Sequence, residues 1–394
     1  MVVKVLVVAE YYPRADDPVL GVWAHRQAVA ARDAGADVRV LVLHRPIPPL
    51  AAVRARDRDA LRAAVHQPAR AALDGIEISY LRYVSPPRPW SYQSWGAWAA
   101  PVLAPALRHI RRSFRFDLVH AHYAVPAGDA VRRAYRSAPL VVSVHGHDVQ
   151  GVGAGGRNVR AALAHARLVL ANSAGTAERC RAIGARQARV VHLGTDVPAR
   201  TEPPPSAPTL VSVAHLADRK RHEDVIGAVA LLRGRHPGLR YVIVGAGPAG
   251  ERLQALARSL VVDDLVEFRG ALPHEQAVQT ARAATLFVLP SVDEAFGVAY
   301  VEAMAGGVPA IGCQGEDGPQ EIAAAGGGIA LVPPRDPRAL AAAIDGLLRD
   351  PGRLESLGHE ARATVEREFT WEACGRETVD AYEQALGYDL RAGR

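Results

Sequence analysis

The sequence predicts an α/β protein of two domains, each built on a doubly wound parallel sheet. Its 394 residues exceed the roughly 250–300 that one hydrophobic core supports, so two domains are expected. Short apolar, β-branched runs alternate with longer stretches of helical period, and this series occurs twice. The proline-rich residues 198–208 separate the two series and cannot form a helix or a sheet ladder. We therefore expect domains at residues 1–200 and 206–370.

Each apolar run is expected to be a buried strand of a parallel sheet. The runs of the first series are Val2–Val8, Val38–Leu43, Leu118–His120, Leu140–Val144, Leu168–Leu170 and Val190–His192. Those of the second series are Leu210–Val213, Tyr241–Val244, Val266–Phe268, Leu286–Leu289 and Pro309–Ile311. Ligands of open parallel sheets bind beyond the carboxyl ends of the strands, where nearly every polar or glycine-rich segment of this chain lies.

The composition favours a cytoplasmic protein. The sequence contains no run of about 18 apolar residues, so no membrane span is expected. Its first residues lack the cleavage pattern of a signal peptide. Cys180, Cys313 and Cys374 are few and scattered, which argues against a disulfide framework and against a structural zinc site.

The net charge of +6 is distributed unequally along the chain. Residues 1–200 contain 28 Lys and Arg against 14 Asp and Glu, whereas residues 201–394 contain 19 against 27. An anionic partner of the first half would explain this division. An arginine-rich surface with no partner would explain it equally well. No sequence motif indicates nucleic-acid binding.

The segment from Glu294 to Glu302 is the strongest local signal. A strand ends before it, and a helix is expected to begin near Gly297, where unpaired N–H groups favour an anion. Glu294 precedes this helix and Glu302 lies more than one turn inside it, so both can contact one ligand. The alternative is that these carboxylates only complement the dipole of the helix. That role would explain the position of Glu294 poorly and the position of Glu302 not at all.

The spacing of these two carboxylates resembles the E-x7-E signature of the retaining glycosyltransferases of family 4. Three further segments are similar to the corresponding sequences of the same family, namely Leu289–Ser291, Ala303–Pro309 and Gly318–Ile322. The resemblance extends over nearly the whole chain. It implies the GT-B fold, in which two doubly wound domains face each other across a deep cleft. It also implies a C-terminal helix, within residues 371–394, that packs back on the first domain.

The resemblance assigns donor-binding roles to several residues of the second domain. Glu294 would contact the transferred sugar, and Glu302 would bind the ribose of a nucleotide-diphosphate donor. The backbone N–H groups near Phe296, Gly297 and Val298 would meet the sugar or the diphosphate.

Lys220 occupies the position of a family lysine that binds the diphosphate. The family's preceding Gly-Arg pair is replaced by Ala214 and His215 in this chain. Arg219, Arg221, or His215 when protonated could supply the second cation. Two such cations stabilise the charge of the departing diphosphate as a metal would, so no metal or other cofactor is expected. A solvated loop lysine is the alternative interpretation.

Two residues of the first domain complete the expected site. His145, in His145-Gly-His-Asp148, resembles the family's N-domain histidine near the sugar and the acceptor. Gly21 resembles the glycine loop that approaches the diphosphate, although its neighbours differ from the usual glycine pair. The alternative for His145 is a hydrogen-bonded histidine at the end of a strand.

Two other motifs suggest different functions. Gly245–Gly250 reads G-x-G-x-x-G after a strand, with Glu267 about 20 residues later, which is typical of a dinucleotide site. Pro248 stands at its turn, and family relatives carry a similar Gly-x-Gly-Pro. His120–His122 and His145–His147 are both H-x-H pairs, but no carboxylates with metal-ligand spacing follow them.

A basic helical segment follows a group of aromatic residues in the first domain. Its arginines are expected to lie opposite an apolar stripe. These arginines are Arg108, Arg111, Arg112 and Arg115. Such a surface suits an anionic lipid interface, and it also suits an ordinary amphipathic helix packed on its domain.

The sequence therefore predicts a metal-independent, retaining transferase of a hexosyl group from a UDP- or GDP-sugar. His145, Glu294 and Lys220 are its expected catalytic residues. The acceptor hydroxyl would belong to an anionic small molecule, a lipid-linked molecule or a saccharide, reached in the cytoplasm or at the inner face of a membrane. A nucleotide-sugar epimerase of the same fold and an NAD-dependent oxidoreductase remain as alternatives.

Overall fold

A computed structural model describes residues 2–15, 17–46, 50–150, 154–203 and 205–387. The chain divides into two compact units. The first unit combines the residues up to Leu193 with those from Trp371 onward, and the second unit extends from Gly194 to Thr370. Each unit contains one predominantly parallel sheet covered by helices on both faces, which confirms the predicted fold class for each half.

The first unit contains an eight-stranded sheet in the order β3-β4-β2-β1-β5-β6-β7-β8. Its strands are β1 (Lys4–Ala9), β2 (Asp37–His44), β3 (Arg70–Leu73), β4 (Ile76–Arg82), β5 (Leu118–His122), β6 (Leu140–Val144), β7 (Leu168–Ala171) and β8 (Ala188–Val190). Among the described strands of this sheet, only β3 and β4 pair in antiparallel fashion. Its helices are α1 (Val22–Asp33), α2 (Leu50–Ala55), α3 (Arg58–Val65), α4 (Arg88–Ser91), α5 (Trp95–Ser113), α6 (Asp129–Ala134), α7 (Arg157–His165) and α8 (Ala174–Ala182).

The second unit contains a six-stranded, fully parallel sheet in the order β11-β10-β9-β12-β13-β14. Its strands are β9 (Thr209–Val213), β10 (Arg240–Val244), β11 (Val266–Gly270), β12 (Leu286–Val288), β13 (Ala310–Cys313) and β14 (Ile329–Val332). Its helices are α9 (His222–Leu232), α10 (Gly250–Ser259), α11 (His274–Arg282), α12 (Val298–Met304), α13 (Asp317–Gly326), α14 (Pro337–Arg349) and α15 (Pro351–Glu368). This order is that of a dinucleotide-binding sheet, with the reversal between β9 and β12.

The last helix, α16 (Trp371–Leu386), belongs to the first unit. It packs against α1, where Gln27 donates a hydrogen bond of 3.0 Å to the hydroxyl of Thr378. Gly375 is required at the closest approach, because a Cβ there would lie 2.2 Å from the carbonyl oxygen of Ala30. The C-terminal helix was expected within residues 371–394, and residues 388–394 of that range lie outside the described residues.

The structure divides the chain before the proline-rich segment that was expected to be the linker. The backbone N–H of Thr195 donates a hydrogen bond of 2.9 Å to the carbonyl of Phe369, and the guanidinium of Arg362 donates one of 2.8 Å to the carbonyl of Pro198. These contacts hold the segment against the second unit. Proline content alone therefore placed the boundary several residues too late.

Three strands were not predicted, and one was misplaced. β4 alternates buried and exposed residues, so it lacks the continuous apolar run that marks a covered strand. β3 is exposed throughout and contains no β-branched residue, and β14 follows three successive glycines. The strand expected at Val190–His192 is β8, which ends at Val190.

Candidate functional site

In the second unit, the chain reverses its direction of winding between β9 and β12, which pair directly. Open parallel sheets bind ligands beyond the strand ends at this position. The loop after β9 ends in a short 3-10 turn, Asp218–Lys220. The backbone N–H of Val292, in the loop after β12, donates a hydrogen bond of 2.8 Å to the carbonyl of Arg219. The two loops therefore lie against each other.

Lys220 and Glu294 form a buried ion pair at this point. The ammonium of Lys220 donates to Oε2 of Glu294, and the hydroxyl of Ser291 donates to the same oxygen at 2.8 Å. Nη1 of Arg219 lies 3.9 Å from that oxygen. The backbone N–H of Glu294 donates to Oε2 of Glu316 at 2.8 Å, which fixes the loop. The structure thus brings together three of the predicted site residues.

The Glu294 carboxylate is held in its charged form. Burial alone would raise its pKa, but the neighbouring Lys220 ammonium outweighs burial, and the resulting pKa is below the ordinary value of a glutamate. The charge of Arg219 and the hydrogen bond from Ser291 act in the same direction. The Glu294 carboxylate therefore remains ionised at neutral pH, beside a Lys220 side chain in a residue that is only 9% exposed.

The helix predicted near Gly297 is confirmed as α12, which begins at Val298. Gly297 has a φ of +83°, and a Cβ there would lie 2.5 Å from the ring of Tyr300. Phe296 is buried and packs on Phe369, with the ring centroids 5.6 Å apart. The Phe296 side chain therefore belongs to the core, and its predicted backbone contact with a ligand stays a prediction.

Glu302 lies on the same helix but has different neighbours. Its carboxylate is 3.6 Å from Nε2 of His274, and Arg282 donates a 3.0 Å hydrogen bond to its backbone carbonyl. Burial raises the pKa of Glu302 to about 7, a shift that Arg282 opposes and Asp196 reinforces. Its carboxyl therefore changes charge near neutral pH.

His215 follows β9 and is exposed. Its backbone carbonyl accepts a 2.8 Å hydrogen bond from Ala217. Within the described part of the chain, its ring makes no hydrogen bond or ion pair with Lys220 or Glu294. Its predicted diphosphate role stays a prediction.

The glycines of the dinucleotide-like motif pack against the chain's own backbone. A Cβ at Gly245 would lie 1.9 Å from the carbonyl oxygen of Ala214, and one at Gly247 would lie 2.5 Å from that of Leu216. The backbone N–H of Ala249 also donates a hydrogen bond of 3.0 Å to the carbonyl of Leu216. Both glycines are therefore needed for the close packing of this turn against the loop that carries Lys220. This packing explains the G-x-G-x-x-G motif without a bound dinucleotide.

In the first unit, His145 lies at the carboxyl end of β6 beside two histidines of β5. Its Nε2 is 3.0 Å from Nδ1 of His122, and the two rings are nearly parallel. His120 bonds to the hydroxyls of Tyr382 and Ser143, at 2.8 and 2.7 Å. Three of the four histidines of the two H-x-H motifs, His120, His122 and His145, therefore lie in one cluster, whereas His147 is exposed. Within the described residues, no group of three or more His, Cys, Asp or Glu could hold a metal ion.

Burial keeps these histidines neutral at physiological pH. It lowers the pKa of His145 to about 4 and that of His120 to about 3. Asp148, the last residue of the predicted motif, accepts a 3.1 Å hydrogen bond from the backbone N–H of Ala124, and burial raises its pKa to about 7. His145 can therefore bind a ligand by hydrogen bonding and not as a cation.

Gly21 immediately precedes α1 and has a φ of +64°. A Cβ at this position would lie 2.2 Å from the carbonyl oxygen of Tyr11. This close approach explains the glycine within the first unit itself. Its approach to a diphosphate stays a prediction.

Sequence reasoning missed His122 and Ser291. His122 could have been found, because alternate residues of a strand share one face and its neighbouring strand ends in His145. Ser291 occurs in the segment that resembles the family, but no pattern distinguishes its hydroxyl from that of another loop serine.

Two family models match adjacent parts of the chain. Residues 20–198 match glycosyltransferase family 4, and residues 196–364 match glycosyl transferases group 1. None of the described helices is both long and apolar enough to cross a membrane.

Characterised relatives carry several transferase names. D-inositol 3-phosphate glycosyltransferase of Streptomyces bingchenggensis is 34% identical over 221 residues, which is 54% of this chain and 46% of the relative. Glycogen synthase of Mycobacterium tuberculosis is 29% identical over 69% of each chain. The chain thus spans about half the length of several curated relatives that it matches.

Solved structures share the fold over nearly the whole chain. Sucrose-phosphate synthase of Thermosynechococcus elongatus has a TM-score of 0.77 at 21% identity, covering 98% of this chain and all of that one. Anabaena HepE, solved with UDP and glucose, has a TM-score of 0.72 at 19% identity, covering 97% of this chain and all of that one.

Proposed function

Because this chain belongs to glycosyltransferase family 4, we propose that it transfers a hexosyl group from a nucleotide-diphosphate sugar to an acceptor hydroxyl. The anomeric configuration would be retained. The buried pair of Lys220 and Glu294 carries the proposal, because it places a cation and a carboxylate where strand order reverses. UDP is bound by HepE, and UDP or GDP is proposed as the nucleotide here.

Lys220 and Arg219 would stabilise the departing diphosphate. Charge grows on the leaving oxygen in the transition state, and two nearby cations lower its energy. Their arrangement around Glu294 supports a reaction that needs no metal ion. When the diphosphate engages Lys220, the Glu294 carboxylate becomes available to the hydroxyls of the transferred sugar. Glu302 would accept hydrogen bonds from the ribose.

An acceptor with an anionic group is proposed for the first unit. Arg45 lies over the ring of Trp95, at 4.5 Å, and Arg88 over that of Tyr92, at 4.4 Å. The two rings are themselves in contact, with centroids 5.1 Å apart. A pair of guanidinium groups held on one aromatic platform suits a phosphate or carboxylate. A KM for the acceptor that did not depend on salt would contradict this proposal.

The exposed side of α5 supports peripheral binding to an anionic membrane. Trp98 is 50% and Val102 37% exposed, and Arg108 and Arg112 follow on the exposed surface of the helix. Exposed apolar residues followed by arginines suit the boundary of anionic lipids. Failure to pellet with phosphatidylglycerol vesicles at low salt would remove this part of the proposal.

A calorimetric titration with UDP, GDP, ADP and NAD, in EDTA, tests the donor site. We expect tight binding of one nucleoside diphosphate, weakened by Glu302→Gln. The exposed Glu275→Gln, on α11, is the matched control and should bind normally. Binding of NAD alone would show that the transferase proposal is wrong. Analysis of the sugar product distinguishes transfer from epimerisation.

A further inference from the structure

A cavity of about 290 Å³ lies in the first unit, between the end of α5 and strands β1, β2, β4 and β3. Six of the side chains that line it are polar, namely Arg39, Arg70, Glu77, Ser79, His109 and Ser113. The cavity lies toward the amino ends of the strands, since β2 continues from Arg39 to His44, about 16 Å further along. It is therefore separate from the carboxyl ends, where sugar transfer is proposed.

The charged side chains of the cavity leave an excess of positive charge. Oε2 of Glu77 lies 3.2 Å from Nη1 of Arg39, so this carboxylate already has a cation. The guanidinium of Arg39 also lies over the ring of Phe114, 4.7 Å from its centroid, which holds it in place. Arg70 forms no ion pair with any residue that the structure describes. Its uncompensated charge favours an anionic ligand.

Uncharged hydrogen-bonding groups surround this cation. Arg70 pairs with Ser79 across β3 and β4, and residues directly opposite each other in an antiparallel pair lie on the same face of the sheet. His109 and Ser113 are four residues apart on α5, so they share one side of the helix. A guanidinium beside hydroxyl and imidazole groups matches the oxygens of a phosphate ester. The volume is at the lower limit of small-molecule pockets, roughly 300 Å³, so it suits a small polar group.

The side of α5 that faces this cavity is apolar nearer to the start of the helix. Trp98, Val102 and Pro105 precede His109 at spacings of four, three and four residues, which places them in one stripe along the helix. All three are exposed. Val102 lies about 10 Å from His109 along the helix axis. A ligand with its phosphate at Arg70 can therefore extend an apolar part along this stripe.

We propose that this cavity binds the phosphate headgroup of an anionic phospholipid. Arg70 binds the phosphate, and His109 and the two serine hydroxyls bind the rest of the headgroup, while Trp98 and Val102 contact the acyl region. The lipid is an anchor and not the acceptor, because the cavity lies away from the carboxyl ends of the strands. This inference rests on the peripheral membrane binding proposed above and adds to it a site and a class of lipid.

Calorimetric titration of the full chain with monomeric dihexanoyl phosphatidylglycerol tests the cavity. We expect Arg70→Ala to raise the Kd about tenfold, the effect of one charge-assisted hydrogen bond. Arg186→Ala is the matched control, because it removes an exposed arginine just before β8, at the opposite edge of the same sheet. It should leave the Kd unchanged. Equal weakening in both variants would overturn the proposal, because net charge alone would then explain binding.

Ser113→Leu tests the volume of the cavity without changing its charge. Ser113 is exposed at the end of α5, so the larger side chain fills space in the cavity and not in the core. We expect weaker binding of the lipid at an unchanged melting temperature. An unchanged Kd in this variant would show that the lipid binds elsewhere and would refute the site.

Two further ligands identify the source of the phosphate. Glycerol 1-phosphate lacks acyl chains, so it should bind at least about tenfold more weakly than the lipid. Equal affinity would indicate a site for a soluble phosphate ester and overturn the lipid assignment. Dihexanoyl phosphatidylcholine has the same phosphate but no net charge, and it should bind much more weakly. Equal affinity for both lipids would refute the role of Arg70.

The outcomes separate this inference from the proposed function. Pelleting with phosphatidylglycerol vesicles that Arg70→Ala leaves unchanged would refute the headgroup site and leave the membrane binding intact. Selective binding of the short-chain lipid by a chain that transfers no sugar would refute the transferase function and support the headgroup site.

Discussion

Lys220 has two roles that experiments must separate. It neutralises the buried Glu294 carboxylate, and it is proposed to stabilise the departing diphosphate. Removing one partner of a buried pair leaves an uncompensated charge, so a single substitution changes stability as well as chemistry. The sequence identified both residues through a resemblance, but it could not show that they bind each other.

We predict that Lys220→Ala lowers kcat by roughly a hundredfold or more, because a leaving-group contact is lost. Steady-state kinetics with the donor identified by calorimetry measure this effect. The double variant Lys220→Ala, Glu294→Gln removes the unpaired charge and should recover thermal stability without recovering turnover. Normal turnover in the single variant would exclude Lys220 from the mechanism.

Glu302 should make nucleotide binding depend on pH. Its pKa of about 7, which reflects burial, means that its carboxyl is mostly protonated at pH 6 and ionised at pH 8. The ionised form accepts hydrogen bonds from the ribose better, so a ligand that favours it binds more tightly as pH rises.

We therefore predict that the affinity for UDP increases by up to about tenfold between pH 6 and pH 8. Calorimetry at several pH values measures it. In Glu302→Gln, the affinity for UDP should vary with pH only because the phosphate of UDP itself changes its protonation. Parallel pH profiles in the two proteins would contradict this role.

At the scale of elements, strand ends account for most of the candidate site. Parallel strands direct their carboxyl ends to one edge, and the reversal between β9 and β12 brings Lys220 and Glu294 together. Apolar runs predict the central strands well because those strands are covered on both faces. An edge strand such as β3 lacks a continuous apolar run because neither of its faces is fully buried, so the pattern does not predict it.

The glycine-rich turn after β10 provides a test at the same scale. Gly247→Ala should destabilise the second unit by about 1–3 kcal/mol, because its Cβ would lie 2.5 Å from the Leu216 carbonyl. Gly250→Ala is the matched control, since its Cβ would make an ordinary contact at 3.6 Å. Denaturant unfolding measures both. Unchanged stability in Gly247→Ala would contradict this packing role, and binding of NAD that is lost in Gly247→Ala would indicate a dinucleotide site.

At the scale of the whole molecule, the first unit is assembled from two separate parts of the chain. Helix α16 covers α1, and Tyr382 reaches from it to His120. Hydrophobic patterning predicts a helix after Trp371 but not its partner. An amphipathic stripe shows that one side of a helix is covered, but it does not identify the surface that covers it. The expectation that the C-terminal helix packs on the first domain therefore came from the family resemblance.

We predict that Gly375→Ala lowers the melting temperature of the first unit, because α16 can no longer approach Ala30. Gly346→Ala, in the exposed interior of helix α14, has nothing within 4 Å of its new Cβ. That control should be neutral or stabilising. Calorimetric scanning measures both variants. Equal melting temperatures would show that the α1–α16 contact contributes little.

The return of α16 also constrains how the protein is made. A ribosome releases β1 through β8 long before it releases α16, and the whole second unit emerges in between. The first unit must therefore wait, with the apolar side of α1 uncovered, until synthesis has passed Trp371. During that interval, the second unit can complete its own fold from contiguous residues. A message truncated upstream of α16 would thus yield one finished half and one unfinished half, and the unfinished half would be the target for chaperones and proteases.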